Sequence, residues 1–170
     1  MIVADLTLRF GASCFCARVH WPSDADSLTL LLADRFDEAE SLSAAAGTVV
    51  VALTGCQRFE LELNALCWVA DHAAELNGAS RLPLLAGGAR AACVAVLARE
   101  VVWPTLSHQL LIHPTFTPEC PMPNALNGLA PAAVLSDPSD DGAAYDELLD
   151  AAGVEVWRLH DLADLRTITR

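Results

Sequence analysis

The chain has 170 residues, 54% of them apolar and 19% charged, which suits one domain of the usual ~100–200 residues and excludes a disordered chain. All 10 basic residues are arginine, set against 22 acids for a net charge of −12, so chemistry that needs an amine, a Schiff base or a phosphate-loop lysine, is excluded. A surface this acidic argues against nucleic acid and against an anionic membrane as partners.

Strand and helix periods alternate along the chain without a repeat. Residues 7–10 and 17–21 read as short strands, and Ser27–Ala33 (SLTLLLA), continuously apolar, reads as a strand buried on both faces. Residues 36–46 have helical composition with acids in the first turn, and Gly47 stands where a helix-ending glycine belongs. Residues 48–53 (TVVVAL) are β-branched and strand-like. A single long helix is expected from Phe59 to Asn77, with Leu61, Leu66, Val69, Ala73 and Leu76 as its apolar stripe. Then come a strand at 81–86, a tight turn at Gly87-Gly88, an alanine-rich helix at 89–99 and a strand at 109–113. Residues 114–131 hold five of the nine prolines and read as a loop; a strand at 132–135, a helix at 141–152 stopped by Gly153 and a last strand at 154–159 follow. Strand and helix in strict succession predict a single α/β domain over residues 1–170, a three-layer sandwich whose mainly parallel sheet carries helices on both faces.

Six cysteines (Cys14, Cys16, Cys56, Cys67, Cys93, Cys120) are scattered through apolar stretches. That is buried-thiol usage, and with no signal peptide read at the start the expected compartment is the cytoplasm. The longest apolar runs fall far short of the ~20 residues that cross a bilayer. Cys14, Cys16 and His20 do not have the paired spacing of a zinc site, so no metal and no cofactor are expected.

Four stretches, in order, carry a resemblance: LNALCWVADHAAELNGASRL (63–82), LPLLAGGARAACVAVLARE (82–100), SHQLLIHP (107–114) and PAAVLSDPSDDGAAYDELLDAAGVEVW (131–157). Together they resemble the hormone-sensitive-lipase-like esterases of the α/β-hydrolase fold. The chain is short for that family and starts almost at its first strand, so the expectation is a truncated fold without the N-terminal helical cap.

The resemblance implies a Ser-His-Asp triad, and the residues depart from it. The family's G-x-S-x-G turn corresponds to Ala86-Gly87-Gly88-Ala89-Arg90, which puts Gly88 at the nucleophile position. The glycine-rich oxyanion loop corresponds to LADRF at 32–36, which has no glycine. Asp137 matches the triad acid. The family's histidine corresponds to a position near Arg166, with His160 several residues early and the only histidine after Asp137.

The remaining candidates admit either a chemical or a packing role. Gly87, Gly88 and Arg90 at a helix start offer backbone N–H groups beside a guanidinium, an anion site, or simply close packing with Arg90 in solvent. Asp34 and Arg35 form a polar pocket with Asp137 for proton transfer on a carbonyl compound, or a surface ion pair. Cys56, after Gly55 at a strand end, is the thiol nearest the edge where α/β sites form. Cys93 should face inward with no base beside it. His108 and His113 bracket a buried strand and read as core histidines. Trp21, Trp68, Trp103 and Trp157 are spread through different elements and read as core or interface anchors.

The functional expectation is a hydrolase homologue without its nucleophile that binds a small apolar carbonyl-bearing molecule and assists a cyclisation, isomerisation or elimination. A non-enzymatic scaffold is the alternative and an esterase the third choice. A pocket of ~300 Å³ or more lined by Asp34, Arg35, Arg90 and Asp137 would favour the first. The resemblance further implies a homodimer through the last strand.

Overall fold

The computed structural model describes residues 1–25, 27–56, 58–77 and 83–165. β1 (Ile2–Phe10) and β2 (Ser13–Trp21) form an antiparallel hairpin in register from Ile2 against Trp21 to Phe10 against Ser13. Both strands run longer than their apolar patterning predicts, because an antiparallel edge pair needs only one covered face. β3 (Ser27–Ala33), α1 (Asp37–Ala46), β4 (Thr48–Thr54), α2 (Phe59–Asp71) and α3 (Ala73–Asn77) follow. Next are β5 (Leu84–Gly87), α4 (Ala89–Val101), β6 (Gln109–Ile112), β7 (Ala132–Leu135), α5 (Gly142–Ala151), β8 (Val156–Leu159) and a 3₁₀ turn at Leu162–Asp164.

The expected long helix from Phe59 to Asn77 is two helices. His72 interrupts it: its backbone N–H and its Nδ1, at 2.8 Å, both engage the Trp68 carbonyl, and its ring stacks on the Trp68 indole. A side chain sharing the carbonyl of the preceding turn loosens the regular ladder there. Residues 81 and 82 of the expected fifth strand lie outside the described residues, as does Arg166.

One eight-stranded sheet has the order β1-β2-β4-β3-β5-β6-β7-β8, antiparallel at β1/β2 and β2/β4 and parallel elsewhere. The fold class read from the sequence is the one observed. The continuously apolar strands divide their side chains by alternation. Leu28, Leu30, Leu32, Val49, Val51 and Leu53 enter one core with residues of α2, α4 and α5, whereas Leu31, Val50 and Ala52 enter the other with Ala39 and Leu42 of α1. Fully buried Leu30, Val51, Leu85 and Leu111 contribute roughly 1.5–3 kcal/mol apiece. Between β3 and β4, Thr29 and Thr48 join hydroxyls at 3.0 Å, so these two buried polar side chains satisfy each other.

Tyr145 of α5 is wholly buried against Phe116, and its hydroxyl has no hydrogen-bond partner among the described residues. A desolvated, unpaired hydroxyl costs stability. Tyr145→Phe is therefore expected to leave the protein unchanged or more stable by up to about 1 kcal/mol in chemical denaturation; a loss of that size instead would show the hydroxyl to be satisfied.

Candidate functional site

Parallel pairing brings the carboxyl ends of β4, β3, β5, β6, β7 and β8 to one rim of the sheet, the edge at which open α/β sheets place ligands. Along that rim stand Gly55-Cys56, Asp34-Arg35, Gly87-Gly88, His113, Asp137 and His160, in strand order.

The tightest polar cluster lies at its centre. His113 is the first residue beyond β6: its N–H donates to the Leu135 carbonyl of β7 at 2.8 Å, and its backbone then turns left-handed at φ 44. That conformation is uncommon for a side-chain-bearing residue and collects at functional positions. The ring is thereby turned outward, half-exposed, with Nδ1 3.0 Å from Asp140 Oδ2 and 3.4 Å from Asp137 Oδ2. A carboxylate only accepts, so Nδ1 carries the proton and Nε2 keeps its lone pair in the neutral ring.

The acids are held by their own turn. The Asp140 side chain is buried; its Oδ2 also accepts from the Asp137 N–H at 2.9 Å and its Oδ1 from the Gly142 N–H at 2.7 Å. Asp137 accepts from the backbone and the hydroxyl of Ser139, and these bonds, the hydroxyl foremost, hold its carboxyl below the usual range, with His113 adding to the effect. Asp141 ties the turn to the segment after His113, through its N–H to Pro114 O and its Oδ2 to Phe116 N. Imidazole and aspartates are thus fixed by one network joining the ends of β6 and β7. The three side chains also lie close enough together to hold a metal ion.

This corrects the reading of His113 as a core residue: the apolar run before it ends at Ile112, and the turn puts the imidazole on the surface. The sequence signal for this placement was the LIHP stretch ending a strand beside the one that delivers Asp137. Gly88, the N-cap of α4, adjoins it; a Cβ built there would meet only Ile112 O, at an ordinary 3.6 Å. At Gly87 a Cβ would lie 2.7 Å from Leu32 O.

The other sequence candidates are dispersed. Arg90 does not face solvent with a free fork: Nε and Nη2 donate to the two oxygens of Glu62 at 2.7 and 2.8 Å, and the guanidinium lies over the Phe59 ring. Arg35 pairs with Asp37 at 2.8 Å, both exposed, and Asp34 is exposed beside them, so the surface ion pair is the observed arrangement, with a different acid from the one expected. His160 is exposed beyond β8, where its N–H caps onto Asp164; the imidazole that reaches Asp137 is that of His113. Cys56 is buried, which raises the thiol's pKa, and it lines a cleft of about 360 Å³ with Ser13, Cys14, Phe15, Gly55, Arg58 and Leu61. A volume of ligand size therefore exists at the β4 end of the rim, with lining different from that anticipated.

No protein-family model matches the chain. Carboxylesterase NlhH of Mycobacterium tuberculosis is 35% identical over an alignment that covers 54% of this chain and 45% of that protein, so the chain spans less than half the length of the curated relatives it matches. Among solved structures, an esterase of Pyrobaculum calidifontis superposes with a TM-score of 0.80 at 20% identity, covering 99% of this chain and 86% of that one. A thermostable carboxylesterase cloned from a metagenomic library gives 0.78 at 22% identity, covering 93% and 78%. At such identities the likeness is one of fold. No described helix is long and apolar enough to cross a membrane.

Proposed function

From the premise that this chain has the α/β-hydrolase fold and resembles the hormone-sensitive-lipase-like esterases, we propose that it binds a small, largely apolar carbonyl-bearing molecule at the carboxyl rim of its sheet. There it moves a proton on that molecule through His113, in a cyclisation, isomerisation or elimination. What supports the reading is the His113 Nδ1 contact with Asp140 and Asp137, together with the alignment read from the sequence, in which the family's nucleophile position falls on Gly88. Imidazole is the side chain suited to proton transfer near neutral pH, and an aspartate on Nδ1 fixes its tautomer and stabilises the imidazolium as Nε2 takes the proton. Ester cleavage through a covalent intermediate, the chemistry of a serine esterase, needs a hydroxyl at the elbow and N–H donors for the oxyanion. In the sequence alignment with that family the elbow position falls on Gly88, and the segment aligned with the oxyanion loop has no glycine. The six free thiols fit a reducing compartment such as the cytoplasm.

The test is solvent deuterium exchange at the α-carbon of short ketones and lactones, followed by proton NMR, with nitrophenyl acetate hydrolysis alongside. Exchange is expected with the wild type and to fall about 10²–10⁴-fold in His113→Asn, with ester hydrolysis at the buffer rate. Rapid ester turnover with a burst of nitrophenol would refute the reading. If neither activity is found and light scattering shows a dimer, the assembly module stands instead; its support is that β8 is an edge strand and that Val101, Val102 and Trp103 are exposed together.

A further inference from the structure

We propose that Cys93 and Cys120 are a redox modification site, at which a low-molecular-weight disulfide such as oxidised glutathione converts two thiols into a cross-link between α4 and the loop that follows His113. Their sulfurs lie 3.5 Å apart across 27 residues of sequence. Cys120 is buried and its backbone is pinned: Thr117 and Cys120 exchange backbone hydrogen bonds at 3.0 and 3.1 Å, and the Thr117 hydroxyl accepts from the Cys120 N–H as well. Cys93, in the second turn of α4, is the more accessible of the two and also lies 3.5 Å from the Pro121 carbonyl. A disulfide is about 2.05 Å long, so closure needs an approach of roughly 1.5 Å, which side-chain rotation and a small movement of the loop supply. Of the other thiols, Cys56 and Cys67 point at the backbone carbonyls of Arg58 and Trp103.

The exchange balances in two displacements. Cys93 gives up its proton to solvent, and its thiolate attacks one sulfur of glutathione disulfide, forming a mixed disulfide and releasing one glutathione, which takes up a proton. Cys120, deprotonated in turn, attacks the Cys93 sulfur and releases the second glutathione. Two protein thiols are oxidised and one external disulfide is reduced. Burial, with Cys120 beside it, pushes the Cys93 thiol up to about 12, so the thiolate is scarce at neutral pH and the reaction quickens with alkalinity. The product would pin to α4 the segment that joins His113 to β7, and so to Asp137. The inference stands apart from the proton-transfer reading, since it concerns only the thiols.

The full chain is treated with oxidised glutathione at pH 7 and pH 9, its free thiols are alkylated, and the digest is mapped by mass spectrometry. The expected result is a Cys93–Cys120 linked peptide pair, removed by dithiothreitol, that forms at least about tenfold faster at pH 9. The melting midpoint should rise by about 5 °C or more on oxidation, with no rise in Cys93→Ser or Cys120→Ser. Full alkylation of both residues after treatment at pH 9, glutathione adducts that never resolve, or links confined to other cysteines would each overturn it. The peptide map is read on the wild-type chain, so it does not depend on how the variants fold.

Discussion

Replacing Arg90 with methionine is expected to destabilise the protein by about 3–5 kcal/mol at pH 8, the cost of leaving one partner of a buried ion pair unmatched. Glu62 is only 2% exposed, and both its oxygens rest on the Arg90 fork. Burial raises the Glu62 pKa above the ordinary 4.5, and the hydrogen bond and charge of Arg90 oppose that rise. Without Arg90 only burial remains, and the pKa climbs further. A carboxyl whose folded pKa lies above its unfolded value favours folding in its protonated form, so its contribution is complete below about 4.5 and is lost as the pH passes through the raised value. The Arg90→Met penalty should therefore shrink between pH 8 and pH 5, as measured by urea denaturation at both. The double variant Glu62→Leu/Arg90→Met should recover most of the loss, because apolar residues of similar volume replace such pairs at little cost. A single-variant penalty below about 1 kcal/mol, equal at both pH values, would mean that water reaches Glu62. Because Glu62 lies on α2 and Arg90 two residues past Gly88, the pair clamps the start of α4 beside the rim.

Gly87→Ala should cost about 2–4 kcal/mol, whereas Gly88→Ser should stay within about 1 kcal/mol of wild type. Gly87 adopts φ 150, which L side chains rarely take, and its added Cβ would stand 2.7 Å from Leu32 O and 3.3 Å from the Cβ atoms of Leu32 and Ala91. The first of these neighbours is backbone of β3, paired in register with Gly87 itself, and β6 holds Gly87 from the other side through Leu111. Neither strand can yield without opening the sheet. At Gly88 the φ is −79, and an added Cβ would meet only Ile112 O, at an ordinary 3.6 Å. Thermal midpoints of the two variants, measured side by side, check the contrast; equal losses would contradict it. The first glycine of the pair is thus required by the fold, while the second leaves room that a hydroxyl could occupy.

The strands from β3 onward, helices α1, α4 and α5 and the parallel sheet were legible in the residues alone, because runs of aliphatic and β-branched side chains and the glycines that stop them act over a few positions. Hairpin length and the break at His72 were not. The first depends on which face a neighbour covers, and the second on an imidazole that shares a main-chain carbonyl with its own helix.

The site divides the same way. The placement of Asp137 just after β7 was legible in the residues, since it is read from an ordered local stretch. It took the folded chain to turn His113, which follows three apolar residues, outward to Asp140 and Asp137, to commit Arg90 to Glu62, and to bring Cys93 to Cys120. Each of those contacts joins residues 24 to 28 positions apart. Periodicity and propensity are short-range, whereas a pairing across such a span exists only once strand register and helix packing have set two separate segments side by side.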